Sequence, residues 1–262
     1  MSEYILSCCS TADLTREQLK EYGVEFICYH FELDDKQYMD DLGVSMDFED
    51  FYAAMQKGSM TRTSQVSVGE YTEYFKKFLD EGKDILHLCL STGISGTFNS
   101  AVIAVNELKE EYPDRKIYVV DSLAASGGFG LIMKTLSEKR AEGMDIDSLH
   151  TWVEDNKLNL QHWFFTSDLT YLIRGGRVSK ASGVIGGMLN ICPLLNVNFE
   201  GKLINRMKVR TKKKVMVEQV NKMIEHADGG ADYTGDCIIT HSACYDDARA
   251  VADLIEEKKF PQ

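Results

Sequence analysis

Apolar residues fall along the first 160 positions in short blocks separated by polar junctions, and each block is followed by a stretch of helical spacing. Tyr4 to Ser7 reads as a short strand running into Cys8-Cys9-Ser10-Thr11, then a helix from about Thr15 to Tyr22 and a second strand from Val24 to Cys28. After Ser45, Phe48, Phe51, Tyr52 and Met55 share one face of a helix over Asp47 to Lys57. Ser67 and Glu70 have the spacing of a capping box, in which each side chain bonds the other's backbone, so a helix starts there and ends near Gly82. Ile85 to Leu90, apolar except for His87, reads as a buried strand. The helix after it presents Phe98, Ala101, Val102, Val105 and Leu108 at helical spacing. Ile117 to Val120 is a further strand closed by Asp121-Ser122, and Ala124 to Gly130 opens another helix. Repeated strand–helix alternation predicts a parallel sheet covered by helices.

The pattern changes near Trp163. Trp163 to Phe165 reads as a strand and Arg174-Gly175-Gly176-Arg177 as a loop. Cys192 to Val197 and Leu203 to Met207 flank Glu200-Gly201 as a hairpin. Lys213 to Ala227 predicts an amphipathic helix, Cys237 to Thr240 a strand, and Ala243 to Glu257 a last helix. The expected architecture is therefore α/β in two domains. Residues 1–160 form an α/β domain on a parallel sheet, and residues 161–262 an α/β domain with a mixed or antiparallel sheet and helices.

Composition narrows the class. A hydrophobic content of 44% with only 3 prolines fits a packed globular chain rather than a disordered one. No apolar run reaches the roughly 20 residues a bilayer crossing needs. The start, MSEYILSCCS, lacks the basic and apolar regions of a signal peptide, so a cytoplasmic location is expected. The 7 cysteines show no CxxC spacing and sit mostly in apolar segments, as buried thiols do. Histidines show no ligand spacing with Cys or Asp, so no metal is expected, and no cofactor motif occurs. The net charge of -12 opposes nucleic-acid binding.

Two hydroxyl-rich segments carry the candidate chemistry. Ser91 to Thr97 joins a buried strand to a helix start, where free N–H groups and the helix dipole favour an anion, with Ser95 and Thr97 as added donors. Plain N-capping is the competing reading. Thr61-Arg62-Thr63-Ser64-Gln65 reads by itself as a polar loop, and the two segments converge if their strands are neighbours, because ligands in such sheets sit beyond the strands' carboxyl ends. No nucleophile–base pair, phosphate loop or dinucleotide fingerprint stands out, so no catalytic residue is assigned. Lys202, Arg206, Lys208, Arg210, Lys212, Lys213 and Lys214 form a basic run in an acidic chain, fit either to steer an acidic partner or anionic surface or to guard a sheet edge.

Together these segments resemble the DegV family of bacterial fatty-acid-binding proteins. Ser10-Thr11-Ala12-Asp13-Leu14 is similar to the family's opening segment, and Thr63-Ser64-Gln65-Val66-Ser67 to its Thr-Ser-Gln-Pro-Ser motif, with Val66 in place of Pro. Ser91 to Ala101 resembles its Ser-Ser-x-Leu-Ser-Gly-Thr segment. Val120-Asp121-Ser122, Leu172 to Arg177, Ile191 to Leu195 and Lys208 to Lys213 complete the series in order. The resemblance implies a long-chain fatty acid held between two domains and a fatty-acid kinase partner that phosphorylates the bound acyl group. It implies a carboxylate bound by Thr63 and Ser95, with Ser64, Ile94, Gly96, Thr97 and Arg174 as further ligand contacts. The partner face expected from the basic run is Arg206, Lys208 and Arg210, with a transient anionic membrane contact as another use. Cys9 stands where the family usually has Asp, and the chain ends at Phe260-Pro261-Gln262, before the family's His-x-Gly-Pro-Gly segment. An enzyme acting on a small anionic substrate at the same hydroxyl-rich loop is the alternative, and a regulatory or structural protein with incidental lipid a third.

Overall fold

A computed structural model describes residues 4–179 and 191–258. Phe260-Pro261-Gln262 and the first three residues lie outside the described residues. The chain divides into two compact units, Met1–Leu160 and Gln161–Gln262.

The first unit is built on a parallel sheet. β1 (Tyr4–Cys9) pairs with β2 (Val24–Ile27) through α1 (Arg16–Glu21). A small antiparallel sheet follows, from β3 (His30–Leu33), β4 (Lys36–Met39) and, after α2 (Phe48–Gln56), β5 (Thr61–Ser64). Then come α3 (Val68–Leu79), β6 (Asp84–Cys89), α4 (Thr97–Glu111), β7 (Ile117–Asp121), α5 (Ser126–Ala141) and α6 (Ile146–Asn156). The parallel sheet runs in the order β2-β1-β6-β7. Every residue of β6 is buried, Asp84 and His87 included, as in a strand covered on both faces. Strand alternation sorts β1 and β6 into two faces: Ser7 lies opposite His87 in register, and Tyr71, Tyr74 and Phe75 of α3 stand edge-on or tilted to the His87 ring.

Local chemistry accounts for the helix starts. The expected Ser67–Glu70 capping box is formed, and Thr15 with Gln18 makes a second one. Asp47 and Asp145 cap α2 and α6.

Two expectations are corrected. Thr61 to Ser64 is not a loop: it pairs antiparallel with β3, Thr63 opposite Phe31 and Ser64 opposite His30. Polar side chains hid this strand, because an exposed edge of a small sheet imposes no apolar period. Cys237 to Thr240 joins no ladder among the described residues, despite its β-branched composition. A strand exists through its partner, and the local sequence alone does not supply one.

The second unit contains β8 (Trp163–Phe165), α7 (Thr170–Arg174), β9 (Ile191–Val197), β10 (Leu203–Arg210), α8 (Lys212–His226) and α9 (Tyr245–Glu257). Its sheet is antiparallel, in the order β10-β9-β8, with a register shift between Asn205 and Met207. Cys192, Leu194 and Val215 pack one face of β9 against α8, and Met216, Val220 and Val251 join α8 to α9. No helix among the described residues is long and apolar enough to cross a membrane.

Candidate ligand site

The Ser91 to Thr97 segment is a tied turn. Ser91 offers its backbone carbonyl to the N–H groups of both Ile94 and Ser95, each at 3.0 Å, and its hydroxyl to the N–H of Gly93 at 3.1 Å. Asp121, at the end of β7, accepts from the Thr92 hydroxyl and from the backbone N–H groups of Thr92 and Leu123. The loop after β6 is thereby clamped to the loop after the neighbouring strand. Ile94 is half-buried and packs on the main core.

Ser95 stands immediately before the first turn of α4. Its Oγ accepts from the Tyr29 hydroxyl at 3.1 Å and from the Thr97 N–H at 3.3 Å. A serine hydroxyl has two acceptor sites and one proton. With both acceptor sites taken, Ser95 can meet another group only as a donor. Gly96 occupies the N-cap of α4, and no side chain caps that end in the usual way. A fixed hydroxyl donor therefore sits at the positive end of a 15-residue helix. Tyr29 is held by its own backbone N–H, which donates to Ser10 Oγ at 3.0 Å. Burial, the largest influence, pushes the Tyr29 phenol above its ordinary value, so it stays a protonated donor.

Gln65 closely approaches Gly96. A Cβ at this position would lie 2.5 Å from Gln65 Oε1, and Gln65 Nε2 donates to Ser100 Oγ at 2.9 Å. Gln65 directly follows β5, so it joins the two hydroxyl-rich segments. Thr63 and Ser64 themselves are exposed. Thr97 turns inward: it is fully buried and its hydroxyl lies 2.8 Å from the Tyr71 hydroxyl. Arg174 belongs to the second unit, exposed at the end of α7. Arg206, Lys208 and Arg210 are exposed at alternate positions of β10, the edge strand of its described sheet. Arg206 donates to Asn196 Oδ1 at 2.8 Å. The run is not uniformly cationic, since Lys202 pairs with Glu200 and Lys212 with Asp247, both at 2.7 Å.

Below the turn, Tyr71 leads to a buried group of sulfur and imidazole. Its hydroxyl lies 3.3 Å from Cys9 Sγ and 3.7 Å from Cys89 Sγ, and Cys9 Sγ lies 3.8 Å from His87 Nε2. Burial pushes the Cys9 thiol up, but the contacts with Cys89 and His87 outweigh it and hold Cys9 well below the ordinary thiol value. Cys89 and Tyr71 move upward, burial being the largest cause for each. Cys9, His87 and Cys89 are all fully buried, so the thiol–imidazole contact is not aimed at a substrate. The sequence announced neither Tyr29 nor this group: Tyr29 and Ser95 are 66 residues apart, and Cys9 and His87 are 78 apart. The remaining thiols are also free, with Cys8 and Cys192 buried, Cys28 half-buried, and Cys237 and Cys244 exposed.

A DegV family model matches residues 9–262. The chain belongs to the DegV family. This DegV chain is 34% identical over 261 residues to a DegV domain-containing protein of Clostridium perfringens, covering 98% of this chain and 88% of the relative. It is 32% identical over 226 residues to a Thermotoga maritima protein named as a fatty acid-binding protein, covering 85% of this chain and 76% of that one. A crystal structure of a DegV family protein from Ruminococcus gnavus, described with vaccenic acid, superposes with a TM-score of 0.83 at 26% identity, over 97% of this chain and 89% of that one. The two-domain α/β fold expected from the sequence is the fold this DegV chain shares with that structure.

Proposed function

We propose that this protein binds a long-chain fatty acid by its carboxylate at the Ser95 turn and presents it to a fatty-acid kinase partner, without turning it over itself. The observation that carries the reading is the Ser95 hydroxyl, with both acceptor sites engaged and its proton left for an anion. The dipole of α4 adds to that preference. Thr63 and Ser64 lie on opposite faces of β5, so one of them, Thr63 by the family motif, is assigned as the exposed donor for the same head group, and Ile94, Gly96 and Thr97 are assigned to its surroundings. Arg174 is assigned to the ligand by the family motif alone. Fatty-acid binding by the Thermotoga and Ruminococcus relatives supports the choice of ligand. The affinity would come mainly from the acyl chain, at about 0.8 kcal/mol for each buried CH₂.

Mass spectrometry of an organic extract of the purified protein tests this directly. A retained fatty acid is expected; a protein that carries none and binds none when supplied refutes it. Incubation of the single chain with fatty acid, ATP and magnesium is expected to yield no acyl phosphate, and product would favour the enzyme reading. Arg206, Lys208 and Arg210 are assigned to partner docking because they are exposed on one side of an edge strand and opposite in sign to the chain. Charge reversal of all three to Glu should leave lipid content intact and slow transfer to the partner, most clearly at low salt, where screening is weakest. Unchanged transfer would leave these residues as edge protection.

A further inference from the structure

The face of the parallel sheet beneath the Ser95 turn carries side chains that the ligand reading does not use. Ser7 lies opposite His87 in the β1–β6 ladder, and alternation places Cys9 and Cys89 on the same face two residues further along. One ligand atom from each of Cys9, His87 and Cys89 lies within 4.8 Å of the other two. A tetrahedral zinc ion, with Zn–S near 2.3 Å and Zn–N about 2.0–2.1 Å, holds such atoms roughly 3.5–3.8 Å apart. The 3.8 Å from Cys9 Sγ to His87 Nε2 already lies at this spacing.

We propose that Cys9, His87 and Cys89 form a Zn(II) site that ties β1 to β6 beneath the ligand turn. Four features support it. The donors are two sulfurs and an imidazole nitrogen, a set that suits zinc and excludes magnesium or calcium. Ser7 Oγ lies 2.7 Å from His87 Nδ1, so it can accept that ring's N–H and leave the Nε2 lone pair facing Cys9, the orienting contact that metal-bound histidines generally have. Charge also balances. Two thiolates and a neutral imidazole around Zn(II) sum to zero, which matters where no ligand touches water and an uncompensated charge is costly. Finally, the Tyr71 hydroxyl stands beside both sulfurs, at 3.3 and 3.7 Å, able to donate to a thiolate or complete the coordination. Through its 2.8 Å contact with Thr97, Tyr71 connects this site to the first turn of α4. The ion would be taken up as the strands assemble, since the three ligands come together only in the folded sheet.

The proposal does not depend on the fatty-acid reading and is tested apart from it. The full chain, purified without a histidine tag, is denatured in chelator, refolded with zinc, and examined by native mass spectrometry and elemental analysis. One zinc per chain is expected, held through dialysis at nanomolar affinity or tighter and released when the thiols are mercurated. Refolding with Co(II) should give near-ultraviolet thiolate-to-cobalt charge-transfer absorption. Cys89→Ser and His87→Gln should lose the metal, whereas Cys237→Ser, at an exposed position outside the cluster, should retain it. The wild-type measurements decide the matter if the cluster variants fail to fold. Folded wild-type protein that binds no zinc overturns the proposal. So does cobalt bound without thiolate charge transfer, or a native mass short by two hydrogens with Cys9 and Cys89 joined as a disulfide.

Discussion

The two hydroxyl-rich segments look alike in sequence and differ in how they are held. At the Ser91–Thr97 turn, the Ser91, Thr92, Ser95 and Thr97 hydroxyls each have a protein partner, and Asp121 fastens the whole to the next strand. On β5, Thr63 and Ser64 ride an exposed strand of a small sheet, with only Gln65 reaching the turn. The first arrangement sets a donor's direction before any ligand arrives, so ordering it on binding costs little. The second leaves its donors free to adjust and pays that cost when they engage. Similar composition thus yields one fixed and one adaptable half of the proposed binding site.

The sharpest way to break this contrast is Ser95→Ala. Loss of a hydrogen bond to a charged group should weaken fatty-acid binding by about 1.5–3 kcal/mol, roughly ten- to hundredfold, by titration calorimetry. Wild-type affinity would remove Ser95 from the site. Tyr29→Phe should have a smaller effect, about 0.5–1.5 kcal/mol, because the Ser95 hydroxyl remains but one of its acceptor sites is freed and its proton is no longer directed. The same change should lower the melting temperature slightly, since a half-buried hydrogen bond is lost; unchanged affinity would show that this orientation is immaterial. Thr63→Ala should cost least, no more than a few-fold in affinity, with Thr63→Ser close to wild type. If Thr63→Ala matches Ser95→Ala, the distinction between fixed and adaptable donors fails.

The parts of the fold that were legible are those in which local sequence and burial agree. β6 is buried along its whole length and reads as a mostly apolar run broken by His87, and the capping box at Ser67 declares the start of α3 through spacing alone. The small sheet was illegible for the opposite reason. β4 is largely exposed, β5 is polar, and α2 intervenes between them, so neither period nor proximity marks their common pairing with β3. Cys237 to Thr240 misled in the other direction, with strand-like residues and no described ladder. At the site, the Ser95 turn was legible because a strand–helix junction is a local feature. Tyr29 was not, because its hydroxyl reaches Ser95 only through the tertiary fold.

The placement of β1 beside β6 also has a consequence in time. Tyr4 pairs with Asp84, a separation of 84 − 4 = 80 residues. At about 5–20 residues per second of synthesis, the first strand waits roughly 4–16 s for its inner neighbour to be made. During that interval its Leu6 and Cys8, fully buried in the finished sheet, have only β2 to shelter one edge. β1 is therefore open to chaperones throughout that interval, and slowing translation before Asp84 should lower the yield of folded protein more than slowing it afterwards.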